Sequence, residues 1–119
     1  MTENNEFDLV KDAIAFQELQ NIMKQVFGCY CPEKSLLWLT EEVGELIQAI
    51  RKEHSDDIIS GELSDVIMWT INLCNILKLD YSALIRSGIE KEIDRQILVY
   101  GKLKYKEQHI NDIGTENID

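Results

Sequence analysis

The chain has 119 residues, of which 45% are apolar and 29% charged, a balance typical of one globular domain rather than a disordered segment. Its 22 acidic and 12 basic residues give a net charge of −10, which disfavours nucleic acids and anionic membranes as partners. The same charge repels free nucleotides, so a phosphate-bearing substrate would have to arrive with a metal cation.

Targeting signals are not evident along the chain. No apolar run approaches the length of a membrane span, and the acidic N-terminus lacks the basic and apolar regions of a signal peptide. The three cysteines, Cys29, Cys31 and Cys74, are odd in number and lack the spacing of a zinc site, so we expect reduced thiols. Together these features predict a soluble cytoplasmic protein.

Helical spacing of the apolar residues predicts four helices. The first covers residues 8–27, and the second begins at Pro32 and runs to about residue 52. The third is capped by Asp56 or Asp57 and runs through residue 77, and the fourth is capped by Asp80 and covers residues 81–100. The short turns between them predict an all-α, four-helix-type bundle of antiparallel neighbours in a single domain, residues 1–101, followed by a polar tail, residues 102–119.

The third helix is apolar around almost its whole circumference. Such a helix lies either at the centre of a bundle or in an interface between subunits. We therefore expect an oligomer, at least a dimer.

Two pairs of carboxylates stand out against these helices. Glu42 and Glu45 are three residues apart in the second helix, with Glu41 beside them, and Glu62 and Asp65 have the same spacing in the third. Residues three or four apart share a helix face, so antiparallel packing of the two helices can bring both pairs together. The third helix contains no Lys or Arg, and packed carboxylates repel one another unless a cation lies among them. Hard oxygen ligands without His or Cys favour Mg²⁺, with Mn²⁺ as a substitute.

Both tryptophans fall on the carboxylate faces. Trp38 precedes Glu42 by four residues and Trp69 follows Asp65 by four, which is compatible either with ordinary core packing or with a flat wall for a nucleobase. Asn72, on the same face, offers an amide for base or sugar recognition. In the fourth helix, Lys91 and Arg95 form a basic pair suited to phosphate oxygens, although neighbouring acids offer them ion pairs as an alternative.

The motif E-E-x-x-E (Glu41, Glu42 and Glu45), followed after 16 residues by E-x-x-D (Glu62 and Asp65), resembles the signature of the MazG-like family of all-α nucleotide pyrophosphohydrolases. The flanking stretches "LLWLTEEVGELIQAIRK" and "GELSDVIMWTINLCNILKLD" are similar to the second and third helices of that family. The resemblance extends over residues 16–95. The chain departs from the family pattern at Lys78, where a glycine is common, and at Asp94, where an asparagine is common.

The resemblance implies Mg²⁺-dependent hydrolysis of (deoxy)nucleoside triphosphates to the monophosphate and pyrophosphate, in a homodimer or homotetramer. The implied metal ligands are Glu42, Glu45, Glu62 and Asp65, and Glu41 or Glu45 would polarise the attacking water. Lys91 and Arg95 would contact phosphates. The base would be recognised by the two tryptophans and Asn72, and by residues of the first helix, namely Phe16, Gln17 and Gln20.

Three alternatives remain at this stage. Within the enzyme interpretation, house-cleaning of non-standard nucleotides competes with a narrow dUTP or dCTP pyrophosphatase. A ferritin-like di-iron protein would need E-x-x-H motifs, which neither His54 nor His109 supplies. A non-enzymatic helical interaction module with a solvated acidic face would show neither metal-dependent stabilisation nor nucleotide turnover.

Overall fold

The computed structural model describes residues 8–106, and these confirm the all-α prediction. The helices are α1 (Ala13–Phe27), α2 (Pro32–Arg51), α3 (Asp56–Ile76) and α4 (Tyr81–Tyr100). No strand occurs in this part of the chain. The prediction for the tail, residues 102–119, lies for the most part outside the described residues.

Two helix starts differ from the sequence prediction. The α1 helix begins at Ala13 rather than at residue 8, because residues 9–12 form turns. The cap of α3 is Ser55, whose Oγ accepts a hydrogen bond from the amide of Ile58, and not either aspartate. The two acidic residues lie in the first turn instead, where their charge complements the positive end of the helix dipole.

The described residues form two compact units, residues 9–84 and the segment from Ile85 onward. In the first unit, α3 packs against both α2 and α1, so the helix that is most apolar in sequence lies between its neighbours. The second unit comprises most of α4 and the turn after it. The domain limits 1–101 stay a prediction.

A buried hydrogen-bond network joins α1 to the end of α3 and to the turn after it. Gln20 is 8% exposed; its amide donates to the carbonyl of Leu79 (2.7 Å), and its carbonyl accepts from the amide of Tyr81 (2.8 Å). Asp80 caps α4 as predicted, accepting from the amide of Ser82 (3.1 Å) and from the side chain of Gln17 (3.0 Å). These contacts lower the pKa of Asp80, chiefly through the bond from Gln17.

The α3 helix ends in a Schellman motif that requires a left-handed residue. The amide of Lys78 donates to the carbonyl of Asn75 (3.2 Å), and the amide of Leu79 donates to that of Cys74 (2.8 Å). Lys78 has a φ of 59°, a conformation that side chains with a Cβ adopt at an energetic cost. This conformation explains why glycine would suit position 78, where this chain has a lysine instead.

We expect Lys78→Gly to raise the free energy of unfolding by about 0.5–1 kcal/mol, because glycine adopts the left-handed region without strain. Chemical denaturation of the variant and the parent measures the difference. Lys78→Ala is the matched control, since it removes the same side chain but keeps the Cβ. Equal stabilisation by alanine and glycine would show that loss of the charge, not relief of backbone strain, is responsible.

No helix in residues 8–106 is both long enough and apolar enough to cross a membrane.

Candidate active site

The acidic residues of α2 and α3 come together where the two helices pack. Glu42, Glu62 and Asp65 each place a carboxylate oxygen within 4.8 Å of the other two. The first two side chains are half-buried and Asp65 is exposed, so the group opens to solvent on one side. These three residues are among the four predicted metal ligands. They come together as expected from the antiparallel packing of α2 and α3 that the short turn between them predicts.

Two oxygens of this group are buried without a partner. Among the described residues, Oε2 of Glu42 and Oε2 of Glu62 have no hydrogen-bond donor and almost no contact with solvent. Burying a carboxylate oxygen without a donor or a counter-charge carries a large desolvation penalty. A cation between the two helices would remove it.

Glu45, the fourth predicted ligand, adjoins the group. Its negative charge lies close enough to raise the pKa values of both Glu42 and Glu62. Glu45 therefore contributes to the electrostatics of the site. Glu41, one turn before Glu45 on the same helix, is exposed.

The pKa values of Glu42 and Glu62 are both raised above their ordinary value. The largest cause for each is desolvation, followed by the charge of Glu45, with Asp65 adding to both. Burial disfavours the charged form and neighbouring negative charges reinforce the effect. A positive charge bound among these carboxylates, whether a proton or a metal cation, would offset the repulsion between them.

The donor set fits a small, hard divalent cation. It offers carboxylate oxygens from two rigid helices and, within the described residues, no histidine or cysteine. Mg²⁺ prefers such oxygens at about 2.1 Å and keeps several waters. The unpartnered oxygens of Glu42 and Glu62 offer the oxygen ligands, and the open side at Asp65 leaves room for the waters. A ferritin-like iron site would also need histidines.

An aromatic cluster adjoins the carboxylates on both helices. Trp38 and Trp69 lie with ring centroids 5.0 Å apart and tilted by 53°. Tyr30, from the turn before α2, meets Trp38 edge-on at 5.0 Å, and the ammonium of Lys34 lies 5.0 Å from the centroid of the same ring. Sequence reasoning missed the last two residues. The i, i+4 spacing was a signal for Lys34, but none existed for Tyr30, whose placement depends on the turn.

Asn72, a predicted base or sugar contact, lies in the protein interior. It is 1% exposed, its amide donates to the carbonyl of Gly28 (2.9 Å), and its oxygen accepts from Asn75 (3.2 Å). Both ends of its side chain are thus engaged between α1 and α3. Its role in recognition stays a prediction.

We expect Asn72→Ala to lower the free energy of unfolding by about 1–3 kcal/mol, because it leaves the buried carbonyl of Gly28 without its donor. Thermal or chemical denaturation measures the loss. Thr70→Ala is a control on the same helix, since Thr70 is exposed and bonds only the carbonyl of Val66 within its own helix. A neutral effect at Asn72 would contradict a structural role for its amide.

The three predicted base contacts in α1 lie toward the end of α3. Phe16 meets the ring of Tyr81 edge-on at 6.4 Å, and Gln17 and Gln20 line a groove of about 390 Å³. Asn75, which lines the same groove, follows Asp65 by ten residues, or about 15 Å along the helix axis. Within one chain these side chains are therefore not neighbours of the carboxylates, and their role stays a prediction.

The basic pair of α4 belongs to the second unit. Arg95 forms a two-bond ion pair with Glu92, at 2.8 and 2.7 Å, which lowers the pKa of Glu92 to about 2. Lys91 is exposed. The ion pair is the alternative that sequence reasoning left open for Arg95, and contact of either residue with phosphate stays a prediction.

Comparison with known proteins agrees with this geometry. The sequence model of one protein family, the MazG nucleotide pyrophosphohydrolase domain, matches residues 31–99, which is more than half of the chain. The match spans α2 and α3 with all the clustered carboxylates, and nearly all of α4. Searches of curated proteins and of solved structures found no match. The chain therefore belongs to the family of MazG nucleotide pyrophosphohydrolase domains.

Proposed function

We propose that the protein hydrolyses (deoxy)nucleoside triphosphates to the monophosphate and pyrophosphate with Mg²⁺ as cofactor. The observation that carries the proposal is the group of Glu42, Glu62 and Asp65, with two buried oxygens that lack donors, on helices matched by a pyrophosphohydrolase family. The chain's net charge of −10 supports a metal cofactor, since bare triphosphate would be repelled.

Three groups of residues have separate roles in the proposed reaction. Glu42, Glu45, Glu62 and Asp65 would hold the cofactor, which when bound supplies charge neutralisation and Lewis-acid activation. Glu41 or Glu45 orients and polarises the water that attacks the α-phosphorus. Lys91 and Arg95 stabilise the leaving pyrophosphate by charge-assisted hydrogen bonds. The bond that breaks is the one between the α-phosphorus and the oxygen that bridges it to the β-phosphorus. The oxygen of the attacking water is therefore found in the monophosphate, and the bridging oxygen leaves with pyrophosphate.

The direct test is incubation with each common (d)NTP and several modified ones, with Mg²⁺ or with EDTA, followed by chromatography of the products. Mg²⁺-dependent monophosphate and pyrophosphate would support the proposal. Diphosphate and orthophosphate would place the attack elsewhere. No turnover and no effect of Mg²⁺ on melting would favour the interaction module. The substrate ranking distinguishes house-cleaning from a narrow dUTP or dCTP pyrophosphatase.

We further propose that the active form is a homodimer or homotetramer. Several large apolar side chains at helical spacing on α2 stay 38–54% exposed, namely Leu36, Val43, Ile47 and Ile50. On α3, Ile58, Leu63 and Ile67 are 41–48% exposed in the single chain, which supports the interface alternative predicted for this helix rather than the central one. Large apolar side chains that stay exposed on two neighbouring helices favour an interface with another subunit. Sedimentation equilibrium of the parent and of Ile47→Asp tests it; a monomeric parent would refute the proposal.

A further inference from the structure

The ammonium of Lys34 lies over an aromatic ring rather than beside an acid. Its Nζ is 5.0 Å from the centroid of Trp38, and no carboxylate of the described residues pairs with it, although acids outnumber bases in the chain. Lys34 is exposed and carries a flexible stem. Its charge is therefore available to a ligand that reaches this ring.

Lys34, Trp38 and Glu42 follow one another at intervals of four residues along one face of α2. The indole is one turn, about 6 Å along the axis, from the carboxylate, and Lys34 is two turns, about 12 Å, from it. Trp69 contacts Trp38 from the facing helix. The order along this face is thus carboxylate, aromatic ring, cation.

A nucleotide has its groups in a matching order. With its phosphates at the carboxylate group, its sugar comes next and the planar base reaches the tryptophans, so the far edge of the base faces Lys34. A base stacked on Trp38 takes the place of the ammonium over the ring, and the stem lets the ammonium move to the edge of the base. Ring stacking is sequence-tolerant because every base has a π-face, so selectivity must come from that edge.

The edge distinguishes two classes of base. Thymine and guanine carry an oxygen acceptor there, and uracil and hypoxanthine share it, whereas cytosine and adenine carry an amino donor. An ammonium is a donor only, with three N–H groups and no lone pair. The ammonium of Lys34 can therefore donate a hydrogen bond to a base with an oxygen at this edge. With a base that has an amino group there, the ammonium would face a second donor.

We propose that Lys34 is a specificity-determining residue that selects triphosphates with an oxo group, rather than an amino group, on the base edge remote from the sugar. The proposal rests on the proposed pyrophosphohydrolase function and names its substrate class. It favours uracil over cytosine and hypoxanthine over adenine. A charge-assisted hydrogen bond of this kind corresponds to a preference of roughly ten- to a hundredfold.

The test compares kcat/KM for dUTP against dCTP and for dITP against dATP, pairs that differ at this edge. Lys34→Met, which keeps an unbranched stem but loses the charge, should reduce each ratio to near unity, and Lys34→Arg should restore the oxo preference. Lys52→Met is the matched control, since Lys52 is also an exposed lysine of α2, at its C-terminal cap. The control should keep the parent's ratios.

A second measurement does not require turnover. The chain has two tryptophans, both in this cluster, so their fluorescence reports on it directly. With Mg²⁺ present, dUMP should quench the parent at lower concentration than dCMP, and Lys34→Met should abolish the difference; neither monophosphate is a substrate of the proposed reaction. A preference for amino bases in the parent, or an equal loss for all substrates in Lys34→Met, which would indicate a phosphate contact, overturns the proposal. If quenching discriminates between bases but no triphosphate is hydrolysed, the base selection stands and the proposed reaction fails.

Discussion

Replacing Glu62 with glutamine should lower the Mg²⁺-dependent kcat/KM by roughly 10²–10³-fold, because metal coordination supplies several kcal/mol of charge stabilisation in such reactions. The substitution keeps the shape of the side chain and removes its charge from the group formed with Glu42 and Asp65. Since the carboxyl of Glu62 has a raised pKa from desolvation and from Glu45, the same change should stabilise the metal-free protein at neutral pH.

This pair of effects, lower activity with higher stability, distinguishes a metal ligand from a residue that supports the fold. Activity is measured by pyrophosphate release, and stability by melting in EDTA. Asp57→Asn is the matched control, since Asp57 is an exposed acid in the first turn of the same helix. The activity of this control should stay within about twofold of the parent, because a surface charge about one and a half turns away contributes little. Undiminished activity of Glu62→Gln would exclude Glu62 from the metal site.

Mg²⁺ should stabilise the protein more strongly near pH 8 than near pH 5. Glu42 and Glu62 have raised pKa values in the folded chain, so their contribution to stability is fully present below the ordinary value of 4.5 and is lost as pH rises through the raised values. In EDTA, repulsion among the ionised carboxylates therefore lowers stability with rising pH. Mg²⁺ binds the ionised form and should add about 2.7 kcal/mol at a hundredfold excess over its Kd.

Melting temperatures from pH 5 to 8, in EDTA and in Mg²⁺ at matched ionic strength, measure this dependence. Other groups also titrate in this range, so the relevant quantity is the difference between the parent and Glu62→Gln at each pH. That difference should grow with pH in EDTA and shrink or reverse in Mg²⁺. A Mg²⁺ effect that is the same at pH 5 and pH 8 would show that the ion binds away from these carboxylates.

Much of the architecture was predictable because it depends on local chemistry. The spacing of apolar residues placed all four helices, Pro32 marked the start of α2, and Asp80 caps α4. The α3 cap at Ser55 was missed because serine and aspartate both favour that position and three adjacent residues competed for it. The left-handed conformation of Lys78 was hidden for a related reason, since no glycine marked it.

Some features of the site likewise follow from local sequence, whereas others depend on contacts between residues distant in the chain. Helical periodicity alone determined that Glu42 and Glu45 share one face and Glu62 and Asp65 another, and that a tryptophan extends each face. Only tertiary structure decided which carboxylate oxygens are buried without donors, and that Asn72 bonds the carbonyl of Gly28. These outcomes depend on the rotation and separation of packed helices, which small changes in side-chain packing alter and which no local pattern encodes.

The sequence by itself therefore determined the fold class, the helix faces and the chemistry of a carboxylate group suited to a divalent cation. Tertiary structure decided the contacts between residues distant in the chain, such as Tyr30 on Trp38 from the turn before α2, Trp38 against Trp69, and Gln20 at the turn after α3. The physical reason is that periodicity sets the direction of a side chain about its own helix, whereas a partner is chosen by packing between helices.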